Sequence, residues 1–179
     1  SNGRVVAMGP TAEIQALAGD GDVLDAGGAL ITPGFIDTHT HLLQAGRRLL
    51  REGPAGELYD IDESLLSVDP IEIYTQEEDD EALVAALEYL SSEGVTSVHH
   101  MGNWDDLEAF RRAETSGSLT ARVNVALPIT TTSRLVNAIS SGQFGGQDGK
   151  GTEWVRVGVV KGVVDGTFTT GTAAIELRY

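Results

Sequence analysis

The sequence predicts an α/β fold in which parallel strands alternate with helices. The first observation behind this prediction is the order of the apolar patterns. From residue 35 onward they read strand, helix, strand, helix, strand, helix, strand. The second observation is that chemically versatile side chains fall at or near predicted strand ends, where such folds carry functional residues: His39, His41, His99, His100 and Lys161. The 179 residues suffice for one ordinary domain with a core.

The N-terminal part, residues 1–32, is predicted to form a small β domain. "GRVVAMG" is typical of a short strand followed by a turn, and "DVLDAGGALITPG" of two short strands around a Gly-Gly turn. Between them, "TAEIQALAG" predicts a short helix that ends at a glycine. Pro33-Gly34 marks the start of the second part, residues 33–179.

The strands of the second part are predicted from short apolar runs: "FIDTHTH", "VTSVHHM", "ARVNVAL" and "VRVGVVKGVV". The helices are predicted from "TQEEDDEALVAALEYLSSEG", "NWDDLEAFRRAETSG" and "TTSRLVNAISSG". Asn103 is a suitable N-cap for the second helix, and acidic residues crowd the first turn of the first one. "SLLSVDPIEIYTQ" has no clear pattern, and "GQFGGQDGKG" is a loop.

The composition excludes several classes of function. The chain carries 27 acidic and 12 basic residues, a net charge of -15, so it repels nucleic acid and anionic membranes. Two explanations of this charge stay open: an acidic protein from a GC-rich genome, or adaptation to high salt. No stretch resembles a membrane span or a signal peptide, and we expect a cytoplasmic protein. Without cysteine, a metal must be held by His, carboxylates or a less usual ligand.

The pair His39 and His41 is a candidate metal site. Side chains two residues apart on a strand share a face, with Cα atoms about 6.5 Å apart. Two imidazoles that lean together can each reach one Zn²⁺ at ~2.0–2.1 Å. Asp37 would lie on the same face and could orient a ligand. The alternative is a chance pair on a half-buried strand.

"ITPGFIDTHTHLL", preceded by "DVLDAGGAL", resembles the amidohydrolase superfamily. "EALVAALEYLSSEGVTSVHHMG", "DLEAFRRAETSGSLTARVNVALP" and "VRVGVVKGVVDGTFTTGTAA" are similar to its amidohydrolase-3 branch, which includes N-substituted formamide deformylases. The resemblance implies a small β-sandwich, begun by residues 1–32, and a (β/α)8 metal-dependent hydrolase barrel. Residues 33–179 would supply the first half of that barrel, about four βα units.

The resemblance implies that His39 and His41 are ligands of one or two divalent ions such as Zn²⁺. It also implies that Lys161 reacts with CO₂ and bridges two metals as a carbamate. Lys161 lies in an apolar run, where an ammonium is poorly hydrated and a neutral amine is favoured. The alternative is a lysine that extends from the strand to solvent.

Three further residues are weaker candidates. At most one of His99 and His100 can point into a barrel, because adjacent strand residues face opposite sides. His99 is the better candidate, although a structural role is favoured for either. Asp165 follows the last strand and could contact substrate, or belong to an Asp-Gly turn.

The resemblance also implies parts that the sequence lacks. Two histidines and the catalytic aspartate that handles the proton of the attacking water are expected beyond Lys161, and an insertion is expected near Leu50 and Arg51. The chain would then be truncated, lack an internal segment or be a natural short form. Half a barrel would need the remaining half or a homo-oligomer partner for stability.

The function expected from these observations is metal-dependent hydrolysis of C–N bonds, of the amide or formamide type, in a small-molecule substrate. The alternatives are a deaminase of the same superfamily with a mononuclear site, and an inactive fragment or binding module that keeps the scaffold. Substrate identity is not predicted.

Overall fold

A computed structural model describes residues 4–19, 21–53, 74–166 and 171–174 of the chain. The chain divides into two units, Ser1–Pro33 and Gly34–Tyr179. Most of the segment without a clear pattern, residues 64–76, lies outside the described residues.

The first unit contains one helix, α1 (Thr11–Ala18), as the sequence predicts. A turn follows at Gly27 and Gly28, and the Asp25 side chain accepts a hydrogen bond from the Gly27 N–H group at 2.8 Å. Residues 4–19 and 21–33 contain no strand, so the prediction of short strands is wrong there. The physical reason is that no second layer covers their apolar side chains, and Val5, Val6, Val23, Leu24, Leu30 and Ile31 are exposed.

The second unit is built on a parallel sheet of four strands in the order β1-β2-β3-β4. The strands are β1 (Phe35–Thr40), β2 (Val95–Met101), β3 (Arg122–Pro128) and β4 (Val155–Lys161). The helices are α2 (Leu42–Glu52), α3 (Gln76–Ser92), α4 (Trp104–Ser116) and α5 (Thr132–Ser140). The predicted alternation is confirmed, with α2 as an additional helix directly after β1.

Capping residues determine where two of these helices begin. Thr75 and Glu78 form a reciprocal capping box at the start of α3. Asn103 does the same with Asp106 at the start of α4, which confirms Asn103 as an N-cap. The helix α4 ends at Gly117, whose φ of 74° is a left-handed conformation that glycine adopts without strain.

The core lies between the sheet and its helices. Alternate strand residues are buried there, including Val98, Val123, Val125 and Val157. The helix side chains buried in the same core include Leu83, Leu107 and Phe110. The helices α2 and α3 also touch through their backbones, since a Cβ on Gly46 would lie 1.8 Å from the carbonyl oxygen of Ala82. This packing holds the βα units in register.

The opposite face and the outer strands are much less covered. Phe35 and Ile36 of β1 are 62% and 61% exposed, and Val159 and Val160 of β4 are also exposed. Such a sheet fits part of a (β/α)8 barrel, whose strands would continue at both edges. The need for a barrel remainder or a partner copy stays a prediction.

Leu50 and Arg51 are consecutive residues of α2. The expected insertion beside them stays a prediction. No helix within the described ranges is long and apolar enough to cross a membrane.

Candidate metal centre

The carboxyl ends of the four parallel strands meet at one edge of the sheet, and His39 and His41 lie there, at the end of β1. Their ring centroids are 5.7 Å apart, with planes tilted by 58°. Both side chains are exposed. Within the described residues, no hydrogen bond occupies their ring nitrogens. The two imidazoles are therefore adjacent and available to a ligand.

A local irregularity interrupts the pairing of β1 with β2 close to these rings. Asp37 pairs with Val98, and Thr40 pairs with His100. Between these two pairs, β1 therefore contains one residue more than β2. An extra residue of this kind re-aims the side chains that follow it. The Asp37 carboxylate accepts a hydrogen bond from the backbone N–H group of His39 at 2.9 Å. Asp37 thus acts on the backbone that carries a candidate ligand.

The electrostatic surroundings favour a neutral His41. Partial burial of the ring lowers the pKa of His41 below 6.5, even though the side chain as a whole is exposed. Positive charge on His100, His39 and Lys161 would lower it further, whereas Asp106 opposes the change. A metal would bind the neutral imidazole, which is the form that a lowered pKa favours.

Lys161 is the last residue of β4 and pairs with Pro128 of β3. Because the four strands are parallel, Lys161 lies at the same edge of the sheet as His41, and its positive charge contributes to the lowered pKa of that ring. The expected burial is wrong, because Lys161 and its neighbours Val163 and Val164 are exposed. The reason is that, among the described residues, no further strand pairs with the outer edge of β4. The carbamate stays a prediction, and exposure favours the alternative of a lysine that extends to solvent.

The adjacent histidines of β2 face opposite sides of the sheet. His99 is half-buried and pairs with Asn124. His100 is only 2% exposed, on the helix-covered face. Its Nδ1 accepts a hydrogen bond from the Leu42 backbone at 3.0 Å, and its Nε2 lies 3.0 Å from Asp106 Oδ2. Because its nitrogens are occupied, His100 serves the structure, while a substrate role for His99 stays a prediction.

Asp165 lies in the exposed segment after β4. Its carboxylate accepts a hydrogen bond from the Ala174 N–H group at 2.7 Å. The bond joins residues nine positions apart, so the interpretation of Asp165 as part of an Asp-Gly turn stays a prediction. Contact with substrate stays a prediction, and residues 167–170 lie outside the described part of the chain.

A cleft of about 420 Å³ opens beside His41, and its lining includes Arg47, Tyr74, Asp79 and Asp106. The Arg47 guanidinium stacks 3.7 Å above the Tyr74 ring and forms an ion pair with Asp79. Arg47 was not predicted as a lining residue because it lies on α2, a helix that was not predicted. For Asp106 a signal existed, since it stands three residues after the N-cap Asn103.

The donor set fits a divalent ion in part. Two adjacent imidazoles, one of them with a lowered pKa, are ordinary zinc donors. Among the described residues, no three His, Cys, Asp or Glu side chains come close enough together to hold a metal. A complete site on this edge therefore needs Lys161 as a carbamate, or ligands from outside the described residues.

Comparison with known proteins gives a consistent family. The model of the amidohydrolase family matches residues 30–170. An imidazolonepropionase of Solibacter usitatus is 52% identical over 48 residues, which are 26% of this chain and 12% of that protein. One from Paracoccus denitrificans is 35% identical over 105 residues, 54% of this chain and 26% of the relative. The matched regions thus span about a quarter or less of these relatives. No solved structure matches the chain significantly.

Proposed function

Because the chain belongs to the amidohydrolase family, we propose that it carries the first ligands of a metal centre that hydrolyses C–N bonds in a small molecule. The observation that carries the proposal is the adjacency of the His39 and His41 rings, 5.7 Å apart at the carboxyl edge of a parallel sheet. In α/β folds this edge is where catalytic groups from successive strands converge.

His39 and His41 would hold the metal, and Lys161 at the end of β4 would join them if it carries a carbamate. When bound, a divalent ion such as Zn²⁺ would polarise the carbonyl group of the substrate and make a water molecule more acidic. The chain itself supplies the position of the ligands. Asp37 holds the backbone of His39, and partial burial, aided by neighbouring positive charge, lowers the pKa of His41 and so favours its neutral form.

Two classes of substrate follow from different observations. The relatives named imidazolonepropionase suggest a cyclic C–N bond in an imidazolone ring. The resemblance of later segments to the amidohydrolase-3 branch suggests an open-chain N-substituted formamide. Both reactions break a C–N bond next to a carbonyl group, and both are compatible with the same metal ligands.

Metal analysis tests the centre directly. We expect one or two divalent ions per chain in the purified protein, and loss of all of them in the double variant His39→Ala and His41→Ala. His99→Ala is the matched control and should keep its metal. A wild-type protein without affinity for divalent ions would refute the proposal, as would a double variant that retains them.

Lys161→Ala separates a two-metal site from a one-metal site. If Lys161 bridges two ions as a carbamate, the variant loses one ion, and a short carboxylic acid restores part of the loss by bridging in its place. If the site holds one ion on His39 and His41, as in the deaminase alternative, metal content does not change. Assays with a formamide and an imidazolone then distinguish the substrate classes.

A further inference from the structure

His100 connects the first turns of the helices α2 and α4 at the carboxyl edge of the sheet through both of its ring nitrogens. The backbone N–H group of Leu42 lies 3.0 Å from Nδ1. A backbone N–H can only donate, so Nδ1 must be the unprotonated, accepting nitrogen. The proton of the neutral ring is then on Nε2, which donates to Asp106 Oδ2 at 3.0 Å.

Asp106 is itself held in place by the start of α4. The same oxygen, Oδ2, accepts a hydrogen bond from the Asn103 N–H group at 3.0 Å. In return, the Asn103 side chain accepts one from the Asp106 N–H group at 3.1 Å. The capping box of α4 thereby holds the Asp106 carboxylate in place. Asp106 accepts the Nε2 proton and so sets the tautomer and orientation of His100.

Close packing leaves this arrangement little freedom. The His100 ring meets Phe110 edge to face, with centroids 4.8 Å apart. A Cβ on Gly102 would lie 2.1 Å from His100 Nε2 and 2.2 Å from Asp106 Oδ2. The absence of a side chain at Gly102 is therefore required for the hydrogen bond between His100 and Asp106.

The network ends at the residue next to a candidate metal ligand. Leu42 is the first residue of α2, and His41 occupies the N-cap position without a capping side-chain bond. The first N–H groups of a helix have no partner inside the helix. His100 supplies the acceptor for one of them from across the sequence, and so fixes the backbone immediately after His41.

We propose that His100, oriented by Asp106, is a positioning residue of the metal centre: it fixes the start of α2 so that His41 meets His39 at the carboxyl edge. This inference rests on the proposed function, because it assigns a role toward the same metal. Partners that orient metal ligands typically change metal affinity by about 10–100-fold when they are removed.

Two substitutions separate the two hydrogen bonds of His100. In His100→Asn the side-chain oxygen can take the place of Nδ1 and accept from Leu42. In His100→Gln the amide reaches the place of Nε2 and can donate to Asp106, but leaves the Leu42 N–H group without an acceptor. The first readout is hydrogen exchange of the Leu42 amide in metal-free protein. The second is Co²⁺ affinity, measured from its visible absorption.

We expect His100→Gln to lose protection of the Leu42 amide and to bind Co²⁺ about 10–100-fold more weakly. His100→Asn should retain both within about threefold, as should the control His99→Asn. The inference is overturned if His100→Gln binds Co²⁺ like the wild type, or if the folded His100→Asn loses as much affinity as His100→Gln. If His100→Gln fails to fold, His100→Leu, which also leaves the Leu42 N–H group without an acceptor, takes its place in the same comparison with His100→Asn.

The failure of the proposed function has a different signature. In that case the wild-type protein itself lacks Co²⁺ affinity, and the role of His100 toward a metal falls with it. Protection of the Leu42 amide would then still report the hydrogen bond. If the wild type binds Co²⁺ and His100→Gln binds it equally well, only the positioning role of His100 is refuted.

Discussion

The two histidine pairs stand at the ends of neighbouring parallel strands, yet the structure uses them in opposite ways. His39 and His41 are exposed, and no described residue occupies their ring nitrogens. His100 of the second pair is buried and hydrogen-bonded through both nitrogens. The first pair is free to bind a ligand, and the second pair contributes a ring that holds the first in place.

The difference shows that histidine content alone does not identify a metal site. A histidine whose nitrogens already bond to a backbone amide and a carboxylate has no lone pair left for a metal. Its removal should damage the fold, whereas removal of an exposed histidine should damage binding alone. This division of roles can be tested, from the largest expected effect to the smallest.

The largest effect is expected from His100→Ala. The substitution leaves the Leu42 N–H group and the Asp106 carboxylate without their partner and opens a cavity beside Phe110. Each unsatisfied buried group costs about 1–3 kcal/mol, so we expect a loss of about 3 kcal/mol in the free energy of unfolding. Urea denaturation of the metal-free protein measures it.

His39→Ala is the matched control for that measurement. An exposed ring without packing contributes little, so its removal should change the free energy of unfolding by less than about 0.5 kcal/mol. Equal losses in the two variants would contradict the division of roles between the pairs.

A smaller loss is expected from Gly102→Ala. The new methyl group would lie 2.1 Å from His100 Nε2 and must push His100 and Asp106 apart. Overpacking of this kind costs about 1–3 kcal/mol, measurable by the same urea denaturation. Gly158→Ala is the control, since its Cβ would meet only Asn124 Oδ1, at 3.7 Å. Wild-type stability in Gly102→Ala would show that the His100–Asp106 bond does not need this space.

The pH dependence of stability should report His41. Its folded pKa is lowered below 6.5, chiefly by partial burial of the ring. Below pH 6.5 the unfolded chain therefore takes up a proton at this site more readily than the folded chain. The stability is fully present above pH 6.5 and decreases as the pH falls below it. The effect should stay under about 1 kcal/mol, because solvent screens the exposed side chain.

Comparison with His41→Gln isolates this contribution, because all other titratable groups are present in both proteins. In metal-free samples, the wild-type free energy of unfolding should fall more steeply than that of the variant between pH 6.5 and about 5. Parallel curves would argue against the lowered pKa.

Salt should have the smallest effect on the difference in stability between the wild type and His100→Ala. The net charge of -15 predicts that molar KCl raises the melting temperature of the wild type by screening repulsion. The difference between wild type and His100→Ala should stay constant, because buried hydrogen bonds are not screened. A wild-type midpoint that does not rise would remove the interpretation as an adaptation to high salt.

Local patterns predicted most of the second unit well. The run "VTSVHHM" matches β2, Val95–Met101, residue for residue, and Asn103 marks the start of α4. Apolar periodicity and capping are properties of neighbouring residues, so they can be read without the fold. The helix α2 was not predicted, and its N-cap residue His41 provides no side-chain cap.

The strands expected in residues 1–32 illustrate the opposite case. Their apolar side chains have the composition of strands, but pairing and burial require a partner layer. The described residues of this unit supply none, and Val23, Leu24, Leu30 and Ile31 remain exposed. Lys161 follows the same rule, since its burial depended on a strand beside β4.

The sequence by itself determined the strand positions of the second unit, and with them the edge of the sheet to which His39, His41 and Lys161 belong. It also determined that His99 and His100 face opposite sides. Only the tertiary structure decided which histidine is free and which is engaged. The reason is that the partner of His100 Nδ1 lies 58 residues away in the sequence, and no local pattern specifies a contact at that distance.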